Sequence, residues 1–287
     1  MPSKFMQTMA AAFLALAGAG LAAAPLTDYG AIAKSSDTTQ RPGAMVWMDL
    51  LTDDVAAASR FYAEVFGWSV ERSDDGGYAY ATLDGRPVAA IAAYEDDLGE
   101  VEGLWIPSFA VADVDRAAAA VTANGGSVLE PPEDLAGRGR YVLVADPAGA
   151  VLMLLRASGG DPKPAEAAKR WLWSELWTDD VPAATAFYEA VLGYRTVAVR
   201  DGDGSAFQVM GRDQRPYASV VESPLPGVEP AWLAYLLVDD VDKTARKVLK
   251  AGGAVLVPPQ RDGFNEDVAI VADPTGGVFA LQQRRAK

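Results

Sequence analysis

Apolar and polar residues follow two rhythms along this chain. Trp47 to Leu51 is a short apolar run broken by Asp49, as in a strand. Val55, Ala58, Phe61, Tyr62 and Val65 then recur at the spacing of a helix with one buried face. Asp53 or Asp54 stands where a carboxylate accepts from the free N–H groups of a helix start, and Gly67 stands where that helix ends. Tyr78 to Leu83 and Pro87 to Tyr94 read as two strands around an Asp84-Gly85 hairpin turn. With Ser69 to Glu71 counted, the order is βαβββ. It restarts with a strand at Ser108–Val111, a helix at Val114–Ala123, and strands at Tyr141–Asp146 and Val151–Leu155.

The whole pattern is then written again. Trp47 aligns with Trp173 at an offset of 126, and 12 of the 22 positions from each Trp onward are identical. Thr52-Asp53-Asp54-Val55 becomes Thr178-Asp179-Asp180-Val181, and Phe61-Tyr62 becomes Phe187-Tyr188. At an offset of 127, Gly125-Gly126 matches Gly252-Gly253, and Val144-Ala145-Asp146-Pro147 matches Val271-Ala272-Asp273-Pro274. A fainter repeat inside each half relates Asp54-Val55 to Asp113-Val114. The chain therefore reads as four modules of about 55 residues, each too small to bury a core alone. The modules must pair. Phe61-Tyr62 and Phe187-Tyr188 are read as helix-on-sheet core. The Gly-Gly pairs and the two Asp-Pro-x-Gly stretches are read as turns, as is Asp201-Gly202-Asp203-Gly204, which lacks the spacing of a calcium loop.

Charge and rare residues narrow the chemistry. The 287 residues carry 25 Lys plus Arg against 39 Asp plus Glu, a net charge of −14. An acidic chain with no basic cluster is a poor partner for nucleic acid or anionic membrane. Cys and His are both absent, which removes thiolate catalysis, disulfides and the commonest transition-metal ligands. Met9 to Ala24 is an apolar run ending in small residues behind Lys4, the form of an export signal. Residues 1–24 are accordingly read as a signal peptide and 25–43 as a flexible polar segment. An exported, periplasmic or secreted monomer is expected, with no stable membrane insertion once the signal is cleaved.

Paired βαβββ modules with Thr-Asp-Asp-Val, Phe-Tyr and Gly-Trp in the first motif and a late Asp-Pro-x-Gly hairpin resemble the vicinal oxygen chelate superfamily. It includes glyoxalase I, the fosfomycin and bleomycin resistance proteins and the extradiol dioxygenases. The likeness extends to tandem glyoxalase-like bacterial proteins with a Trp-x-Glu-Leu first strand. It implies an α+β fold in which modules join edge to edge into two cups, 44–157 and 170–285, with a linker at 158–169. Metal-using members place ligands early in the first strand of each module and in the last strand. Those positions here are Trp47, Ile106, Trp173, Leu233, Met153 and Ala280, none of them a suitable side-chain ligand. Neither metal nor cofactor is therefore expected.

Alternation of strand side chains fills the cups. If Trp47 faces the first cup, so do Asp49 and Leu51, while Met48 and Leu50 face the helices. The same parity puts Ile106 and Ser108 in the first cup, and Trp173, Glu175, Trp177, Leu233 and Tyr235 in the second. Trp47, Asp49, Ser108, Trp173, Glu175, Trp177 and Tyr235 are thus the candidate ligand-binding residues. The three tryptophans either stack on a planar ligand or pack as core. Asp49 and Glu175 either act as proton acceptors in an apolar wall or are tied to the sheet or a neighbouring Arg. Arg138 and Arg140 are read as a solvated loop pair. Small-molecule binding without a transition metal is the leading expectation. The alternative is a lyase, isomerase or dioxygenase, with or without a metal, for which Glu175 is the candidate base.

Overall fold

The computed structural model describes residues 29–33, 38–94, 103–163, 168–200, 206–224, 227–261 and 267–283. The signal-like run lies outside them. The first half contains β1 (Met45–Thr52), α1 (Val55–Phe66), β2 (Ser69–Arg72), β3 (Tyr78–Leu83), β4 (Arg86–Ala93), β5 (Leu104–Ala110), α2 (Val114–Ala123), β6 (Ser127–Leu135), β7 (Gly139–Ala145) and β8 (Val151–Ala157). The second contains β9 (Trp171–Thr178), α3 (Val181–Leu192), β10 (Arg195–Arg200), β11 (Ala206–Arg212), β12 (Arg215–Glu222), β13 (Ala231–Leu237), α4 (Val241–Lys250), β14 (Ala254–Arg261), β15 (Asp267–Ala272) and β16 (Val278–Gln283).

Each half closes into one eight-stranded sheet, β2-β3-β4-β1-β5-β8-β7-β6 and β10-β11-β12-β9-β13-β16-β15-β14. The two modules of a half meet through the antiparallel pairs β1–β5 and β9–β13. Trp47 lies opposite Ser108, and Trp173 opposite Tyr235. Tyr78 of β3 and Tyr141 of β7 share one buried cluster with Trp47 and Met153, so the first sheet curls around that face. Every helix starts at an Asp whose carboxylate accepts an N–H three residues on: Asp54, Asp113, Asp180 and Asp240. Gly67 and Gly193, both at left-handed φ, end α1 and α3. β6 was missed by the sequence reading. It is an edge strand with two bulges that absorb Pro131-Pro132, where no ladder N–H is lost.

The helices lie between the two sheets. One core joins α1, Met48 and Leu50 to α4, Phe279 and Leu281 of the other half. The second joins α2 and β7–β8 to α3, Met210 and Val220. Modules one and four, and modules two and three, therefore pack across the halves.

The repeated sequence motifs make that junction. Tyr62 Oη donates to Asp273 Oδ2 at 2.7 Å and accepts from Trp105 Nε1 at 2.8 Å. Tyr188 Oη donates to Asp146 Oδ2 at 3.0 Å and accepts from Trp232 Nε1 at 3.1 Å. Beside these chains, a Cβ on Gly253 would sit 2.9 Å from the Phe61 ring, and one on Gly126 2.8 Å from the Phe187 ring. The Phe-Tyr pairs are core, as read, but core shared between halves. The Asp-Pro-x-Gly stretches do turn, yet their Asp is buried and aimed across the junction. Asp146 Oδ1 also accepts from Ala148 and Ala150 N–H, and Asp273 Oδ1 from Thr275 and Gly277 N–H.

The segment read as a flexible tether is packed where it is described. Ile32 is 2% exposed within the first cup's cluster. The Tyr29 carbonyl accepts from Arg138 Nη2 at 3.0 Å and Tyr78 Oη at 2.8 Å, and Tyr80 Oη donates to the Ala31 carbonyl. Gly30 has φ +75°, and a Cβ there would lie 2.6 Å from the Tyr80 ring.

Two outcomes are expected. Tyr62→Phe or Tyr188→Phe leaves a buried carboxylate oxygen and an indole N–H without their hydroxyl partner. Each should cost about 1–3 kcal/mol in urea unfolding. Burial first, and the facing carboxylate second, push both phenols well above their ordinary value of 10.0. They hold their protons more tightly folded than unfolded, so this contribution is complete below pH 10.0 and is lost as the pH rises through their folded values. Tyrosinate absorbance from these two residues should appear only together with loss of circular dichroism. Their ionisation in a still-folded chain would contradict the arrangement.

Candidate functional site

The two concave faces carry equivalent residues in different states. In the first, the alternation holds: Trp47, Leu51 and Ile106 join the cup cluster, while Met48 and Leu50 face the helices. Asp49 Oδ1 accepts from Trp47 Nε1 at 3.0 Å and from Arg138 Nη1 at 2.7 Å. Arg138 is 2% exposed, with its guanidinium 4.9 Å from the Trp47 ring centre. It is not the solvated loop residue the sequence suggested. The Gly137–Gly139 turn folds it inward, where Asp49 compensates its charge. Burial pulls the guanidinium down, but Asp49 and the neighbouring tyrosines outweigh that and raise it. Arg140 does stay exposed, paired to Asp115 at 2.7 Å and Asp134 at 3.3 Å. Ser108 is buried, and neither its hydroxyl nor Asp49 Oδ2 has a hydrogen-bond partner among the described residues. With Tyr29–Ala33 laid across it, this cup is filled from within.

The second cup brings together Trp173, Glu175, Trp177 and Tyr235, with one residue the sequence reading passed over. Glu175 Oε1 accepts from Trp177 Nε1 at 3.0 Å and Tyr235 Oη at 3.1 Å. Its Oε2 accepts from Ser219 Oγ at 2.8 Å, and Ser219 in turn accepts from Trp173 Nε1 at 3.0 Å. Ser219 stands beside Glu175 because β12 runs parallel to β9 in that register. The first cup has Ala90 beside Asp49 at the equivalent place, so the repeat itself gave no hint of it. Around this network lie Leu233, Val228, Ala280 and Ile270. Glu175, Trp173 and Tyr235 are only half-buried, so the polar centre is reachable.

Both halves match one family model, the Glyoxalase/Bleomycin resistance protein/Dioxygenase superfamily, at residues 44–154 and 171–281. The chain belongs to that superfamily. CFP32 of Mycobacterium bovis, carried as a candidate glyoxylase, is 36% identical over 250 residues, 84% of this chain and 95% of its own length. The anthracycline biosynthesis protein DnrV of Streptomyces peucetius is 33% identical over 263 residues, 85% of this chain and 94% of its own. Among solved structures, the Mn(II)-bound glyoxalase from Novosphingobium aromaticivorans aligns with a TM-score of 0.60 at 18% identity, covering 85% of this chain and 83% of that one. The 2,2',3-trihydroxybiphenyl 1,2-dioxygenase of Sphingomonas wittichii gives 0.61 at 18%, covering 85% and 91%. These structural likenesses concern the fold.

A metal of the kind some superfamily members bind does not fit the residues present. Asp49 is already held by Arg138, and Glu175 by three hydrogen-bond donors. The neighbouring inward positions are Trp47, Ile106 and Met153 in one cup and Leu233 and Ala280 in the other. Among the described residues, no three Asp or Glu side chains converge. One carboxylate with a hydroxyl falls short of a transition-metal donor set.

Asp49 and Glu175 should therefore respond differently to substitution. Asp49→Ala strands the Arg138 charge in the first cup and should cost about 3–5 kcal/mol in chemical unfolding. Glu175→Gln keeps an acceptor and meets hydroxyls that can reverse roles, so the midpoint should move far less. Equal losses would mean that the second network is as structural as the first.

Proposed function

We propose that this chain is an exported tandem glyoxalase-like protein whose second cup binds a small, largely apolar, aromatic or cationic molecule without a transition metal. The observation that carries this reading is the half-open aromatic and aliphatic wall around the fixed Glu175 carboxylate. Three donors orient it inside a wall of indole, phenol and aliphatic groups, and no Arg is bonded to it. A mostly apolar hollow with a few converging polar groups is the usual make-up of a small-molecule site. The equivalent Asp49 is occupied by Arg138 beneath the Tyr29–Ala33 segment, which supports the second cup as the place of recognition. Relatives named for anthracycline biosynthesis support a planar aromatic ligand. The enzyme reading, with Glu175 as the base of a metal-free lyase or isomerase, has less support. Three hydrogen bonds already stabilise the carboxylate, which weakens it as a base, although Oε2 keeps a free lone pair.

The test is a fluorescence titration with 1,8-dihydroxyanthraquinone on the parent, Trp177→Leu and Glu175→Gln. Saturable quenching is expected, weakened about tenfold in Trp177→Leu and largely kept in Glu175→Gln. Chromatography of the incubated ligand should show it unchanged. Binding indifferent to Trp177→Leu would place the site elsewhere. Turnover that vanishes in Glu175→Gln would make the protein an enzyme.

A further inference from the structure

A further hollow lies at the seam between the halves, where it shares Trp47 with the wall of the first cup and Trp173 with the wall of the second. Met45, Val46 and Trp47 of β1 line it together with Trp171, Leu172 and Trp173 of β9. These two triplets are equivalent by the 126-residue repeat. The β1–β5 ladder shifts register between Met45 and Trp47, and the β9–β13 ladder shifts at the matching place. A bulge bends its strand and re-aims side chains, so both strands turn apolar groups toward the seam. The cavity holds about 200 Å³.

Its charge runs against the rest of the molecule. Arg41, Lys163, Arg170 and Arg215 line it, and among the described residues no carboxylate does, in a chain with 39 acidic and 25 basic residues. Of the nearby acids among the described residues, Asp161 is bonded to Arg41 itself and Asp84 is set back. Asp161 is fully buried and accepts the Arg41 backbone N–H. Asp84 acts on Arg170 only through space, without an ion pair between them. Arg170 is fixed by donating to the backbone carbonyls of Leu83 and Pro87. Burial first, and Arg86 second, pull its guanidinium below the usual value, as expected of a cation short of a counter-charge. Lys163 and Arg215 are exposed at the mouth.

We propose that this seam is a second ligand site, beside the cups and sharing Trp47 and Trp173 with their walls, and that it takes a small aromatic carboxylic acid. The size sets the ring count. A cavity of about 150 Å³ accommodates benzene, so about 200 Å³ suits one ring bearing a carboxylate. The ring lies against the indole and Tyr217 walls, and the carboxylate faces the guanidinium groups, which favour planar anions.

Salicylate is the probe, titrated by calorimetry into the intact chain. Saturable binding with a Kd below about 1 mM is expected. Arg170→Gln and Arg215→Gln should each weaken it about tenfold, and neutral salicylamide should bind about tenfold less well than salicylate. Glu175→Gln and Trp177→Leu should leave it unchanged, which separates this site from the second cup. Circular dichroism checks that Arg170→Gln keeps its fold. If it does not, the exposed double variant Lys163→Gln/Arg215→Gln carries the same test. The proposal is overturned by a lack of saturation at millimolar salicylate, by equal affinity for salicylamide, by arginine variants that bind like the parent, or by loss of binding in Glu175→Gln.

Discussion

Tyr62 reaches out of the first half to Asp273 of the second, and Tyr188 returns the contact to Asp146. Each phenol also takes a hydrogen bond from an indole, so three polar groups are satisfied in a chain with no water-facing end. Leaving any of them unpaired at such depth is costly. The arrangement therefore fixes how α1 and α3 sit against the opposite sheet. Gly126 and Gly253 then have to be glycines, because the Ala145 and Ala272 carbonyl oxygens and the neighbouring Phe rings occupy the space of a Cβ. With the helix faces consumed in this way, the concave faces are left pointing outward, free to differ.

The repeat made the fold legible. Helix starts, Gly ends and strand alternation all followed from local rules, and Trp47 and Trp173 faced the expected side. What could not be read was which half a residue would touch. Phe61-Tyr62 has the same helical spacing whether it packs on its own sheet or on a partner 211 residues away. Asp146 and Asp273 look like ordinary turn residues because their first job, accepting nearby N–H groups, is a turn job. In the first cup, Asp49 and Arg138 lie 89 positions apart. Nothing local distinguishes Arg138 from Arg140 two residues on, although one is buried and the other exposed. Ser219 was invisible for a related reason. It matters only through the parallel register of β12 on β9, which no sequence rhythm announces.

The two carboxylates show how a duplicated site diverges. Asp49 and Glu175 occupy the same place and both accept an indole N–H. One side chain is a methylene longer and is met by two hydroxyls. The other is met by a guanidinium and covered. The sign of the partner decides the outcome: a hydroxyl leaves the negative charge in place, whereas Arg138 cancels it.

Contacts that run from i to j and back from j to i are those of a twofold-symmetric pair of identical subunits. Identical subunits could not keep one cup filled and the other open, because every copy carries the same segments. Within a single chain that restriction disappears. The stretch 126 residues beyond Tyr29–Ala33 is Leu155–Gly159, which begins within β8 and the turn after it. Among the described residues, no corresponding arm lies across the second cup. Fusion thus turns a symmetric framework into one with two inequivalent chambers, one closed over a buried ion pair and one with a half-buried polar centre.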